Sequence, residues 1–105
     1  MRITISHSKT RQQAMDAVDR AIDEAFRGLA IGPIEVVDQK KSWSGSVMTF
    51  SLVAKMAFLR NPISGTVEVT DRDVTIDADL GMLNRLIPED KVRSTVETKV
   101  RGLLT

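Results

Sequence analysis

The sequence predicts a two-layer α+β domain spanning residues 1–105, in which a curved antiparallel sheet packs against a long N-terminal helix and a C-terminal helix, in the order β-α-β-β-β-β-α. Three observations carry this expectation. Between Ser8 and Leu29 the apolar residues Ala14, Met15, Val18, Ala21, Ile22, Ala25, Phe26 and Leu29 recur at helical spacing and form one stripe. The stretch "MTFSLVAKMAF", residues 48–58, places Met48, Phe50, Leu52, Ala54, Met56 and Phe58 at every second position, the period of a strand. Ile63 to Val69 and Val74 to Leu80 alternate in the same way on either side of "DRD" at 71–73, the pattern of a hairpin. Strands that are apolar on one face must lay that face against the helices.

Each element has its own justification. Ile3 and Ile5 define a short opening strand over residues 2–6. Ser8 or Thr10 can cap the first helix, and Thr10 has Gln13 at capping-box spacing. Gly28 is the expected stop, because glycine tolerates the left-handed conformation that often follows a helix. Asp16 with Arg20 and Asp23 with Arg27 have the spacing of i,i+4 ion pairs on its wet face. "IGPIEVVDQ" restarts the chain as a second strand, with a turn expected at Lys40 to Ser42. The long alternating strand that follows is expected to end at Asn61-Pro62, a turn-favouring dipeptide, and to bend or twist, since a flat strand of that length would outrun its neighbours. "LGMLNRLIPEDK" leaves the sheet, and Pro88 followed by Glu89 and Asp90 suits the positive end of a helix. Val92, Val96, Val100 and Leu103 give that helix a narrow apolar stripe, with Glu89, Arg93, Glu97 and Arg101 as a charge ladder.

Composition sets limits on function. A chain of 105 residues with 42% hydrophobic and 28% charged side chains has enough apolar material for one core and reads as a soluble globular domain. Fifteen basic against fourteen acidic residues leave a net charge of +1, so no global field steers it to nucleic acid or an anionic membrane. The absence of cysteine excludes disulfides and thiolate chemistry. The opening "MRITISHSKT" turns polar too early for a signal peptide, and no segment has the length of a membrane span, so the expected location is the cytoplasm.

Candidate chemistry is sparse. His7 is the only histidine, so any Ser-His catalysis would have to use it, yet Ser6 and Ser8 beside it are poorly placed as its nucleophile. Asp71, Asp73, Asp77 and Asp79 lack the glycine and distal glutamate of a calcium loop. "KKSWSG" at 40–45 offers one aromatic and two lysines, too few for a single-strand nucleic-acid platform. No catalytic residue, metal site or cofactor is assigned, and the expectation leans to a protein that is not an enzyme.

The informative irregularity lies opposite the greasy stripe. Val47, Val53, Ala57 and Leu59 are apolar where strict alternation would place polar residues, which points to a hydrophobic partner or a self-interface, most simply in a homodimer. "HS" at 7–8 before the alanine-rich helix, "WSGSVMTF" at 43–50, "ISGTVEV" at 63–69 and "VTIDADLGML" at 74–83 together resemble the polyhydroxyalkanoic acid system proteins, small bacterial proteins linked to storage-polyester granules. The resemblance implies a non-catalytic accessory role at the granule surface or in its assembly, with the granule or its proteins as partner. "VAKMAFLRNP" at 53–62 is longer and more apolar than that family leads one to expect. Two other readings stand beside it: a helix-grip protein or enzyme holding an acyl chain, with His7 as its one base, and a homodimeric structural module.

Overall fold

The computed structural model describes residues 1–30, 32–82, 85 and 87–105. Ile31 at the head of the second-strand segment, and Leu83, Asn84 and Leu86 in the segment leading to the last helix, lie outside the described residues. The expected element order is present: β1 (Arg2–Ser6), α1 (Arg11–Gly28), β2 (Glu35–Ser44), β3 (Val47–Met56), β4 (Leu59–Val69), β5 (Asp73–Asp79) and α2 (Glu89–Leu104). The five strands form one open antiparallel sheet in the order β1-β5-β4-β3-β2.

Thr10 starts α1 with a complete capping box: its hydroxyl accepts from the Gln13 N–H at 3.1 Å, and the Gln13 side chain accepts from the Thr10 N–H at 3.1 Å. Ala14, Ala17, Val18, Ala21, Ile22, Ala25 and Phe26 form the buried stripe. Gly28, expected to stop the helix in a left-handed conformation, is instead its last helical residue, and the cap at Leu29 is right-handed. A Cβ there would sit 3.4 Å from the Thr95 methyl on α2, so Gly28 lies where the two helices come close. The wet-face pairs also differ from expectation. Asp16 accepts from Gln12, and Arg27 donates to the backbone carbonyl of Asp23, whose carboxylate is engaged by Lys41 from the sheet.

Phe26 of α1 and Phe50 of β3 meet with ring centroids 5.5 Å apart, tilted by 53°, an arrangement in which aromatic pairs are attractive. Around them Ile3, Ile5, Met48, Leu52, Val67, Val74, Ile76, Val92, Val96 and Val100 are buried in one cluster between helices and sheet. Leu104 is buried at the end of α2, whereas Leu103 is only half-buried. Of the charge ladder, Arg101 and Glu97 pair at 2.6 Å, while Arg93 donates to the Arg2 carbonyl and so ties α2 to β1.

The strand boundaries contain the main departures. Lys40 to Ser42 is not a turn: β2 continues through it to Ser44, and the β2–β3 turn lies at Gly45-Ser46, with Gly45 at φ +60°. The blurred alternation of Val36-Val37 belongs to a bulge, in which Asp38 and Gln39 lie opposite the single residue Leu52. Asp38 takes φ +54°, a conformation that aspartate tolerates better than most residues. Asn61-Pro62 is not a turn either. β4 runs straight through it, and the chain reverses four residues earlier, at Ala57-Phe58, so that Met56 pairs with Leu59.

Pro62 is accommodated because the β4–β5 ladder ends at Ser64 and Asp79, so one side of β4 has no strand partner there. Asn61 is turned inward and buried, donating to the Leu80 carbonyl at 2.9 Å and accepting from the Met82 N–H at 2.6 Å. Phe58, expected on the core face, stands at the apex of the turn and is fully exposed.

Candidate functional site

Three large apolar side chains are exposed among the described residues: Phe58 at 101%, Leu59 at 59% and Met82 at 56%. All three gather at one end of the molecule, because the Met82 backbone is held by Asn61, two residues along β4 from Leu59. The local cause is the β3–β4 hairpin. Its last rung, Met56 opposite Leu59, lies five residues beyond the last β4–β5 pair, roughly 16 Å along the strand. A two-residue hairpin turn favours positive φ at its first central position, usually supplied by glycine. Ala57 adopts φ +54° there, so the turn carries a methyl group and, beside it, an aromatic ring in place of a bare glycine pair.

Charged residues collar this tip. Lys55 and Arg60 face each other on the rung below Met56 and Leu59. Like charges directly opposite are unfavourable on their own. Here each has an acidic neighbour: Glu35 lies opposite Lys55 on β2, and Asp38 in the bulge accepts from Arg60 at 2.8 Å. Two cations and two anions therefore balance at the base of an uncharged apex.

The four residues singled out from the sequence fall in different places. Cross-strand partners share a face. Val53 lies with Val37 and Pro62 in an apolar row on the face turned away from the helices. Val47 is on that face too, but at the other end of β3, about 20 Å distant. Ala57 is in the turn. Leu59, as the partner of Met56, lies on the helix side of the sheet. Sequence reasoning missed Phe58 because unbroken alternation assigned it inward, and Ala57-Phe58 carries none of the usual turn residues.

The remaining polar clusters have structural partners. His7 Nδ1 accepts from the Lys9 N–H at 3.1 Å, and its Nε2 donates to the Thr70 carbonyl at 2.9 Å, so the ring ties the β1–α1 junction to the β4–β5 turn. Asp71 pairs with Arg11, Asp73 accepts from Ser6, and Asp79 accepts from the Gly81 N–H. Trp43 donates its indole N–H to Asp19 at 3.0 Å, and Lys41 bridges Asp19 and Asp23 at 3.2 and 2.9 Å, fastening β2 to α1. The Trp43 hydrogen bond is the main influence that holds the Asp19 carboxyl below its ordinary pKa; burial opposes it and Lys41 reinforces it.

Between helices and sheet the apolar space lined by Phe26, Phe50, Leu52, Ile76 and Val96 amounts to about 30 Å³, the volume of one water molecule in the liquid. Pockets that hold drug-sized ligands are roughly ten times larger. No helix among the described residues is long and apolar enough to cross a membrane.

Residues 1–104 match the model of the family described as "Putative polyhydroxyalkanoic acid system protein". No curated protein and no solved structure matches the chain significantly.

Proposed function

Because the chain belongs to the polyhydroxyalkanoic acid system protein family, we propose that it works as one α+β domain and as a non-catalytic accessory protein of the storage-polyester granule, meeting the granule through an apolar surface. The observation that carries this reading is the fully exposed Phe58, grouped with Leu59 and Met82 at one end of the fold. Folding gains nothing from an aromatic ring left in water, so its position calls for a partner with apolar surface. The engagement of both His7 ring nitrogens by backbone groups, and the small apolar space above the sheet, favour a surface role over acyl-chain chemistry.

Self-association belongs to the same proposal, on a different surface. The Val37, Val53 and Pro62 row lies on the sheet face that carries no helix, and a second copy is its simplest cover.

The granule role is tested by fractionating cells that accumulate polyester. The protein is expected to co-purify with the granules through washing, in excess over an inert soluble protein of similar size. Recovery in the soluble fraction alone would refute it.

A further inference from the structure

The collar at the base of the hairpin specifies what kind of surface the apex meets. Resting on the granule reading above, we propose that the Ala57-Phe58-Leu59 apex inserts directly into the uncharged polyester phase, and that Glu35 and Asp38 act as specificity residues that keep the same apex off anionic lipid surfaces.

The apex is convex, at the end of a hairpin that outruns β5, and it carries its apolar groups outward. Such a projection suits a deformable apolar phase that can receive it. Charge then selects among apolar phases. Apolar apices that enter anionic membranes are aided by nearby lysine and arginine, each adding roughly a fivefold gain near the headgroups. Lys55 and Arg60 stand where such cations would be needed. Glu35 stands opposite Lys55 on the adjacent strand as the nearest opposite charge in the register, without a direct ion pair, and Arg60 is offset within the protein itself by its 2.8 Å contact with Asp38.

Asp38 does so from the left-handed bulge position, where an aspartate is among the few tolerated side chains, so the fold and the charge balance are set by the same residue. A balanced collar gives no attraction to an anionic layer and loses nothing beside an uncharged ester surface.

The test compares binding of the purified full chain to amorphous polyester particles and to phosphatidylglycerol vesicles, at low and high salt. The wild type is expected to bind the particles with little change on adding salt, and to bind the vesicles weakly. Phe58→Ser should weaken particle binding about tenfold or more, with its melting temperature unchanged as the check on folding. Glu35→Gln with Asp38→Asn, where asparagine also accepts the left-handed conformation, should gain on the vesicles by tenfold or more at low salt and lose that gain at high salt.

Wild-type binding to anionic vesicles as strong as to polyester, or particle binding that collapses with salt, would overturn the inference. So would unchanged particle binding by Phe58→Ser. In each of those cases co-purification with granules from cells would still uphold the broader reading, whereas loss of co-purification would remove that reading itself.

Discussion

Gly65 lies directly opposite Phe50 in the β3–β4 ladder, and the space a side chain would take at that position is already filled. A Cβ on Gly65 would fall 2.8 Å from the Phe50 ring and 2.9 Å from the Ala78 Cα, and closer still to the Asp77 carbonyl oxygen. Two of those three neighbours are backbone atoms of β5, which cannot swing aside. Gly65→Ala is therefore expected to destabilise the fold by about 2 kcal/mol, within the usual cost of overpacking, and a lowered urea midpoint at an unchanged slope would check it. An unaltered midpoint would mean that the ring and β5 yield more readily than their burial suggests. A glycine inside an alternating strand already signals close packing or a bend, and the register shows which neighbour requires it by setting Phe50 across from Gly65. Asn61 is the opposite case, for its turn signal pointed away from its role. Buried between Leu80 and Met82, it provides the two hydrogen bonds that hold the chain as it leaves β5.

At the scale of elements, what was legible depended on periodicity, and what was lost depended on neighbours. Both helices, the opening strand and the β4–β5 hairpin follow from repeats of apolar residues and from caps written in adjacent positions, as with Thr10 and Gln13. The β2–β3 turn and the β3–β4 turn were displaced because their decisive features are not local. Pro62 is permitted inside β4 by the ending of β5, and Ala57 is held at positive φ by the pairing on both sides of it. Lys40 to Ser42 similarly reads as a turn until the contacts of Lys41 with Asp19 and Asp23 on α1 are in view.

That contact yields a prediction for pH. The Asp19 carboxyl titrates lower in the folded than in the unfolded chain, so its stabilising contribution is complete above the unfolded value. It disappears as pH falls through the folded one. The effect lies below about pH 4, the ordinary carboxylate range. Trp43 is the sole tryptophan, and its fluorescence should change over that acid interval in the wild type and stay flat there in Asp19→Asn. Identical titrations for both proteins would show that the indole does not sense Asp19.

At the scale of the whole molecule, the two sheet faces have different fates: one is sealed by helices, the other is hydroxyl- and charge-bearing apart from Val47 at one end and the row formed by Val37, Val53 and Pro62 at the other. The proposed self-interface predicts that Val53→Glu shifts the light-scattering mass to that of a monomer, while Val47→Glu, at the far end of the same strand, leaves it unaltered. Equal masses for wild type and Val53→Glu would place the self-contact elsewhere or remove it. The strand order carries a last consequence, concerning time. β1 pairs with β5, joining Arg2 to Asp77 across most of the chain, so on the ribosome the first strand and α1 emerge well before their sheet exists. At ordinary synthesis speeds of about 5–20 residues per second, roughly 3–10 s separate the completion of α1 from that of β5. Until β3 follows with Phe50, partway through that interval, the alanine-rich stripe of the nascent helix has nothing of its own to lie on, and a chaperone at the exit tunnel would find it there.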